Sequence, residues 1–327
     1  MIETQKPARM TIPPDFGGDR GGASPPGCPD EGLAWPISRI QGTDRERVDD
    51  CVPMEEPLEI VVNGRSVAVL MRMPGQEKEL VGGFCVSEGY VRRAEDILLI
   101  HHCGLAGPEQ RIESSAGEGR EGVPESRNRV EVRVIEDALR IKASDSLPDR
   151  PNKEATEVAT TNMVRLIRPG CGAADVAVMR ETLPLLPAGF SVAASALVEM
   201  GRAMRGLQRV HHQVGGTHAA ALFDAAGRAV AAAEDIGRHN AVDKAIGYCL
   251  LRGIPVRDKV LVTSGRASSE MAIKAIRLGI PVVATHSAPT SLAVQLAEDR
   301  GLTLVGYLRG ERMNVYTHAE RLRFEAG

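Results

Sequence analysis

The C-terminal part of the chain alternates short apolar runs with segments of helical period. The apolar runs have the length of single strands. The segments between them begin at a capping residue, Ser268 or Thr290, and end at a glycine, Gly279 or Gly301. This strand–helix–strand–helix–strand order predicts parallel strands joined by crossover helices. The three predicted strands lie in the stretches DKVLVTSG, IPVVATHS and LTLVGYLR.

Three further elements precede this alternation. Residues 218–235 predict a hairpin, and residues 238–253 predict a helix. An earlier segment of helical period has its apolar residues on one face, which is typical of core packing. We therefore predict a three-layer α/β/α domain over residues 151–327, with a hairpin adding antiparallel strands. The apolar face of the earlier helix carries Leu197, Met200, Met204 and Leu207.

The N-terminal half has a less regular pattern. Two apolar runs flank Asn63-Gly64, which is a strong hairpin signal, and a helix-like segment follows. Its Gly82-Gly83 pair costs helix stability, so we expect close packing against another backbone there. Residues 104–129 predict a polar loop, and the alternation in NRVEVRVIEDALRIKAS predicts two strands. These elements indicate a smaller α+β domain over residues 51–150, after a Pro- and Gly-rich tail without structure over residues 1–50.

Composition narrows the class of protein. A hydrophobic content of 43% and a charged content of 25% are ordinary for a globular chain. The net charge of −3 argues against non-specific electrostatic binding to nucleic acid or to an anionic membrane. The aromatic content of 3% argues against a surface on which the bases of single-stranded nucleic acid stack. No signal peptide and no apolar run of membrane-spanning length is found, so we predict a cytoplasmic protein.

The cysteines do not have the spacing of a metal or redox motif. None of the six forms a Cys-x-x-Cys pair, and a disulfide framework is not expected in a chain of this size and predicted compartment. Cys85 and Cys249 fall inside helix-like patterns and are interpreted as buried. Cys28 and Cys51 are interpreted as incidental. The His-His-Cys run ending at Cys103 is not interpreted as a metal site, because three consecutive side chains cannot easily face one ion.

Cys171 stands apart from the other five. Gly170 and Gly172 flank it, and a proline precedes the first glycine, so it lies in a loop that leaves the thiol accessible. Arg165 and Arg168 are near in sequence, and cations lower the pKa of a thiol. A single accessible thiol can carry a sulfur atom as a persulfide.

Three polar runs follow strands of the predicted sheet, where such sheets bind ligands. Arg266 lies at a predicted helix N-terminus, and Arg309 and Arg312 follow the last strand. Both arrangements suit a phosphate group. His239 lies at a strand-to-helix junction among Glu, Asp and Arg residues, whereas His218 is more typical of a structural histidine. Helix caps and surface ion pairs explain any one run equally well, but three runs at one edge favour a pocket for a phosphorylated anion.

Long motifs of the chain resemble the FdhD family of formate dehydrogenase accessory sulfurtransferases. The resemblance covers about residues 50–324, and its motifs keep the family's order and spacing. The motifs are LVGGFCVSEGYV, GCG before an acidic residue, GGTHAAALF, EDIGRHNAVDKAIG, LVTSGRASSEM and SLAVQLAEDRGLTLVGYLRGERMNVYTHAERL.

The resemblance implies a function and a site. Cys171 would accept sulfur as a persulfide from a cysteine desulfurase. It would pass the sulfur to the molybdenum cofactor, in its bis-guanine-dinucleotide form, for formate dehydrogenase. The resemblance also implies a C-terminal domain similar to the cytidine-deaminase fold, a homodimer, and no resident metal. The cofactor would contact the run Tyr307, Leu308, Arg309, Gly310, Glu311 and Arg312. Arg266 and His239, which the polar runs point to, complete the predicted cofactor site.

The chain departs from the family in the cysteine loop. The family commonly has Cys-Gly-x-Cys-Gly, but here Ala174 and Asp175 stand at the last two positions. One thiol is enough to hold a persulfide, so sulfur transfer remains the first functional hypothesis. A cofactor-binding chaperone without sulfur transfer is the alternative. Zinc deaminase chemistry is disfavoured, because His318-Ala319-Glu320 follows Cys171 and the second cysteine is missing.

Overall fold

The computed structural model describes residues 28–103, 128–135, 139 and 182–324 of the chain. Its N-terminal part contains two antiparallel hairpins, one helix and two further strands. The elements are β1 Gly32–Gln41, β2 Asp44–Pro53, β3 Glu56–Val62, β4 Arg65–Arg72, α1 Glu77–Ser87, β5 Ile97–Cys103 and β6 Arg129–Val134.

The first hairpin corrects the prediction of an unstructured tail. Strands β1 and β2 pair along their whole length, so that prediction is wrong for residues 32–50. Cys28 and Cys51 form a disulfide with their Cα atoms 5.8 Å apart, so they are not incidental. The high polar content misled the prediction, because both strands are largely exposed and are joined by cross-strand pairs such as Arg39–Asp50.

The second hairpin belongs to a four-stranded sheet of order β4-β3-β6-β5. The predicted Asn63-Gly64 turn is confirmed, and both residues have positive φ, as a tight hairpin turn requires. The first strand predicted in NRVEVRVIEDALRIKAS is confirmed as β6, whereas β5 was not predicted. The loop predicted over residues 104–129 is wrong at Arg129, where β6 begins, and its residues 104–127 lie outside the described part of the chain, as does nearly all of the second predicted strand.

The C-terminal part is built on a six-stranded sheet of order β13-β12-β11-β10-β8-β9. The alternation predicted from the sequence is confirmed. The elements are β7 Val192–Ala193, α2 Ala194–Gly206, α3 Arg209–Val214, β8 His218–Phe223, β9 Ala229–Asp235, α4 Arg238–Leu251, β10 Val260–Thr263, α5 Ser269–Leu278, β11 Val282–Thr285, α6 Ser291–Arg300, β12 Thr303–Arg309, β13 Arg312–Thr317 and β14 Leu322–Arg323.

Strand direction and helix placement explain how the layers form. The strands β10, β11 and β12 are parallel, and β8, β9 and β13 complete the sheet with antiparallel pairs. Helix α2 packs Leu197, Met200 and Met204 against one face. Helices α4, α5 and α6 cover the other face, which gives α/β/α layers. The chain is a mixed α/β protein, and its resemblance to the cytidine-deaminase fold stays a prediction.

The two predicted domains share one hydrophobic core, in which α1 packs on α4 and the four-stranded sheet packs on α1. A Cβ atom on Gly83 would lie 1.9 Å from the carbonyl oxygen of Asp243, and one on Gly247 would lie 1.8 Å from that of Glu79. The predicted close approach at the Gly82-Gly83 pair is therefore confirmed. The boundary predicted at residue 150 lies outside the described residues.

Candidate functional site

The carboxyl ends of the three parallel strands carry adjoining loops. The amide of Thr290 donates to the carbonyl of Ala267 over 3.0 Å, which joins the loop after β11 to the loop after β10. The amide of Tyr307 donates to the carbonyl of Ser287 over 2.9 Å, which joins the end of β12 to the same loop. These bonds make one continuous edge, which we call the basic edge because Arg266 and Arg309 lie on it.

His239 lies in the first turn of α4 and meets the first turn of α5. Its Nε2 lies 2.9 Å from Oε2 of Glu270 and 3.4 Å from Oγ of Ser268. The hydrogen bond from His239 holds the pKa of Glu270 below its ordinary value, although partial burial opposes the shift. Since both side chains are partly exposed, this pair of side chains remains accessible from solvent.

The acidic residues that surround His239 in sequence have other partners. Asp235 is fully buried, accepts a hydrogen bond from the amide of Gly237 and lies 2.7 Å from Nζ of Lys244. Glu234 accepts hydrogen bonds from the first amides of α3, at 2.6 Å from Val210 N. The prediction that acidic residues near His239 in sequence interact with its ring is therefore wrong for Asp235 and Glu234. Its acidic partner, Glu270, comes from the next helix.

Asp243, the third acidic residue of that run, belongs to the interior. Its carboxylate accepts hydrogen bonds from Ser87 Oγ at 2.6 Å and from Lys274 Nζ at 2.9 Å, and the lysine also binds Glu88. Burial alone would lower the pKa of Lys274, but the carboxylates of Asp243 and Glu88 outweigh it and hold the pKa above its ordinary value. This buried group ties α1 to α4 and α5.

His218 lies at the same end of the sheet, at the start of β8. Its Nδ1 is 3.4 Å from Oγ of Ser264, which also accepts a hydrogen bond from the amide of Ala219 at 3.0 Å. Burial, followed by the positive charge of Arg238, lowers the pKa of His218, so this histidine is neutral at pH 7. The buried Nε of Arg238 has no hydrogen-bond partner among the described residues.

The predicted cofactor run forms the tip of the β12–β13 hairpin, and its side chains divide between core and solvent. Tyr307 has a φ of 53° and is exposed, whereas Leu308 is buried against Gly201 of α2. Leu308 can therefore offer a ligand only its backbone. Glu311 is exposed and pairs with Arg202 of α2 at 3.2 Å.

Arg309 and Arg312 are the basic side chains of this tip. They occupy paired positions of β12 and β13, and both are exposed. The Nε of Arg309 donates to the carbonyl of His286 at 2.8 Å, which holds the side chain beside the loop after β11. Arg266 follows β10, and β11 lies between β10 and β12, so these strands are about 10 Å apart at the usual strand spacing.

Cys171 lies outside the described residues, so its distance from the basic edge stays a prediction. Of the free thiols described, those of Cys85 and Cys249 are buried, and burial raises the pKa of each to about 12. Cys103 is partly exposed, with Nδ1 of His101 at 3.0 Å from its sulfur.

Two further observations concern metals and membranes. In the part of the chain that is described, no group of three or more His, Cys, Asp or Glu side chains is placed to hold a metal ion. Nδ1 of His318 lies 3.0 Å from Oε1 of Glu320. This pair lies at the amino end of β12, so it is at the opposite end of the strands from the basic edge. None of the helices in the described ranges has both the length and the apolar character needed to cross a membrane.

The structure shows α/β/α layers with exposed arginines along the basic edge, and comparison with known proteins gives the class of the protein. A family model described as the FdhD/NarQ family matches residues 53–323. The chain belongs to this family. It is 42% identical over 297 residues to the sulfur carrier protein FdhD of Mycobacterium tuberculosis, covering 89% of this chain and 99% of that one. It is 40% identical over 290 residues to that of Nocardia farcinica, covering 88% and 93%.

A solved structure supports the fold. A protein from Desulfotalea psychrophila, provisionally described as a formate dehydrogenase accessory protein, superposes with a TM-score of 0.64 at 26% sequence identity. The superposition covers 89% of this chain and 99% of the other. The similarity therefore extends over both the four-stranded and the six-stranded sheet.

Proposed function

We propose that this protein is a sulfur carrier that acts for formate dehydrogenase. Support comes from sulfur carrier relatives that are about 40% identical over nearly the whole chain. The sequence adds Cys171, a thiol that its flanking glycines predict to be accessible in a loop. In the proposed loading step, the Cys171 thiolate attacks the outer sulfur of a persulfide on a cysteine desulfurase. The desulfurase leaves as a thiolate, and Cys171 then carries the sulfur as a persulfide.

The proposed acceptor is the molybdenum cofactor in its bis-guanine-dinucleotide form, bound as a substrate at the basic edge. The cofactor carries phosphate groups, and guanidinium groups bind phosphate through paired hydrogen bonds. Arg266, Arg309 and Arg312 are exposed there. Their guanidinium groups suit a diphosphate. A homodimer and the cysteine desulfurase as donor belong to the same proposal.

Sulfur loading is the first test of this function. The protein is incubated with a cysteine desulfurase and L-cysteine, and its intact mass is measured without reductant. We expect a gain of about 32 Da, one sulfur atom, in the wild type and none in Cys171→Ala. Cys103→Ala is the matched control, because it removes the partly exposed thiol of the described residues and is expected to load normally.

Ala174 favours one competing function. Without a second loop thiol, the chain cannot release sulfur by forming a disulfide within that loop. A chaperone that binds the cofactor without moving sulfur would show no mass gain, and its Cys171→Ala variant would support formate dehydrogenase fully. That pair of results would withdraw the sulfur transfer and retain the cofactor pocket. Loading of the wild type alone would reject the chaperone.

A further inference from the structure

The disulfide between Cys28 and Cys51 lies at the base of the β1–β2 hairpin, where the hairpin meets the body of the protein. Both cysteines are partly exposed, so a thiol in solution can reach their sulfur atoms. A Cβ atom on Gly32 would lie 2.9 Å from Sγ of Cys51, so the glycine leaves the space that this sulfur occupies. In the cytoplasmic compartment predicted from the sequence, disulfides are usually transient and act in catalysis or redox sensing.

Residues beside the disulfide contact both ends of one segment of the body. Glu31 forms an ion pair with Arg209, the first residue of α3. Pro53 ends β2, and a Cβ atom on Gly216 would lie 3.1 Å from its Cγ, so the end of β2 packs against the loop after α3. The base of the hairpin therefore holds residues 209–216 at both ends.

That segment leads into a strand that supports the loop of Arg266. Nδ1 of His211 on α3 lies 3.0 Å from the carbonyl oxygen of Thr217, which directly precedes β8. The amide of Ala219 on β8 donates to Oγ of Ser264 at 3.0 Å, and the amide of Ser264 donates to the carbonyl of Ala219 at 2.9 Å. Ser264 lies two residues before Arg266, so a continuous series of contacts links the disulfide to the basic edge.

We propose that the Cys28–Cys51 disulfide is a redox-controlled clasp, which holds α3 and the start of β8 when oxidised and releases them when a dithiol reduces it. One thiolate of the dithiol attacks Sγ of either cysteine, and the other cysteine leaves as a thiolate. The second thiol of the reductant then breaks the mixed disulfide. The reductant leaves as a disulfide after giving up two electrons, and its two protons remain with the cysteines.

The contacts that remain after reduction are individually weak. The Arg209 side chain is 55% exposed, so its ion pair with Glu31 contributes little to stability. Helix α3 has only 6 residues, which is too short for a helix that is stable by itself, and a two-stranded ribbon is only marginally stable in water. Reduction should therefore increase local opening of the hairpin base and of α3 together.

Hydrogen–deuterium exchange of the full chain without ligand tests the clasp, in the oxidised form and after reduction by dithiothreitol. Peptide mass mapping identifies the oxidation state of Cys28 and Cys51 in each sample. We expect reduction to speed the exchange of amides in residues 209–219 by roughly fivefold or more, because local opening limits their exchange. Helix α6 is the internal reference and should exchange at the same rate in both forms.

Two variants separate the disulfide from other effects of the reductant. The double variant Cys28→Ser with Cys51→Ser should exchange like the reduced wild type in both conditions, since it has no disulfide to lose. Cys103→Ser removes a partly exposed thiol and should respond to dithiothreitol as the wild type does. Equal exchange in the oxidised and reduced wild type, or an undiminished response to dithiothreitol in the double variant, would overturn the inference.

The effect of the clasp on the basic edge rests on the proposed function, since the ligand there is the phosphate-bearing cofactor. Calorimetry with guanosine diphosphate is expected to show roughly fivefold weaker binding by the reduced than by the oxidised wild type. The double variant should bind as the reduced form does. Equal affinity in the two forms would overturn the link between the clasp and the basic edge. If guanosine diphosphate binds to neither form, the proposed pocket fails, and the exchange rates still decide whether the clasp exists.

Discussion

Gly83 of α1 lies so close to Asp243 of α4 that a Cβ atom on the glycine would be 1.9 Å from the aspartate carbonyl oxygen. That oxygen belongs to the backbone, so a side chain at position 83 requires one helix to move. Gly247 makes the reciprocal contact with Glu79, at 1.8 Å. The crossing therefore depends on two glycines, and it fixes the four-stranded sheet and α1 against the main sheet.

Gly83→Ala is expected to lower the free energy of unfolding by about 1–3 kcal/mol, because overpacking against a backbone cannot be relieved by a rotamer change. Gly82→Ala is the control: it lies in the same helix, and its Cβ would lie 3.3 Å from the movable Cδ1 of Ile100. Both changes bring the same gain in helix propensity, about 1 kcal/mol. Urea unfolding measures the difference, and equal stability of the two variants would contradict the proposed crossing.

The buried pair of Lys274 and Asp243 leads to a second prediction. Lys274→Met leaves the Asp243 carboxylate buried without its cation, so the variant should lose about 3–5 kcal/mol of unfolding free energy. Adding Asp243→Asn should recover part of this loss, with a coupling energy of about 1–3 kcal/mol in the double-mutant cycle. The exposed pair Arg228–Asp224 is the control, and its coupling should stay below about 1 kcal/mol. Strict additivity at the buried pair would be the contrary result.

The sequence predicts those structural features whose signals lie within a short stretch of the chain, and it does not predict contacts between distant elements. The strands and helices from His218 to Arg309 were predicted because caps, glycines and apolar periods mark each one. The β1–β2 hairpin was missed, because an exposed ribbon lacks an apolar alternation. The approach of Glu270 to His239 was also missed, since it depends on how two helices converge. A disulfide between Cys28 and Cys51 cannot be predicted from the spacing of two cysteines.

Thiol reactivity gives a third prediction. In Cys171→Ala, Cys103 is expected to react with a maleimide at about pH 8 while Cys85 and Cys249 do not, since a thiol with a pKa near 12 supplies almost no thiolate. Unfolding in urea should expose both buried thiols. Peptide mass mapping identifies the labelled positions. Labelling of Cys85 as fast as that of Cys103 in the folded protein would refute the packing of α1 described above.

The disulfide gives a fourth prediction. It joins Cys28 to β2 across the base of a hairpin that is otherwise exposed, and two-stranded ribbons are marginally stable in water. Cys51→Ser should therefore be cut by trypsin within the hairpin roughly fivefold faster than the oxidised wild type, because local opening governs cleavage. Cys103→Ser serves as the control and should be cut at the wild-type rate. Equal rates for Cys51→Ser and wild type would show that the disulfide does not hold the hairpin.

Arg309 provides the last prediction, on the basic edge itself. Its Nε is committed to the carbonyl of His286, which leaves the terminal nitrogens of the guanidinium to meet a phosphate. Arg309→Lys keeps the charge but cannot hold the carbonyl and a phosphate together, so guanosine diphosphate should bind roughly tenfold more weakly in calorimetry. Arg323→Lys makes the same exchange at the exposed residue of strand β14 and should bind as the wild type does. If Arg309→Lys binds normally, charge alone suffices at this position, and the fork of the guanidinium does not contribute to the site.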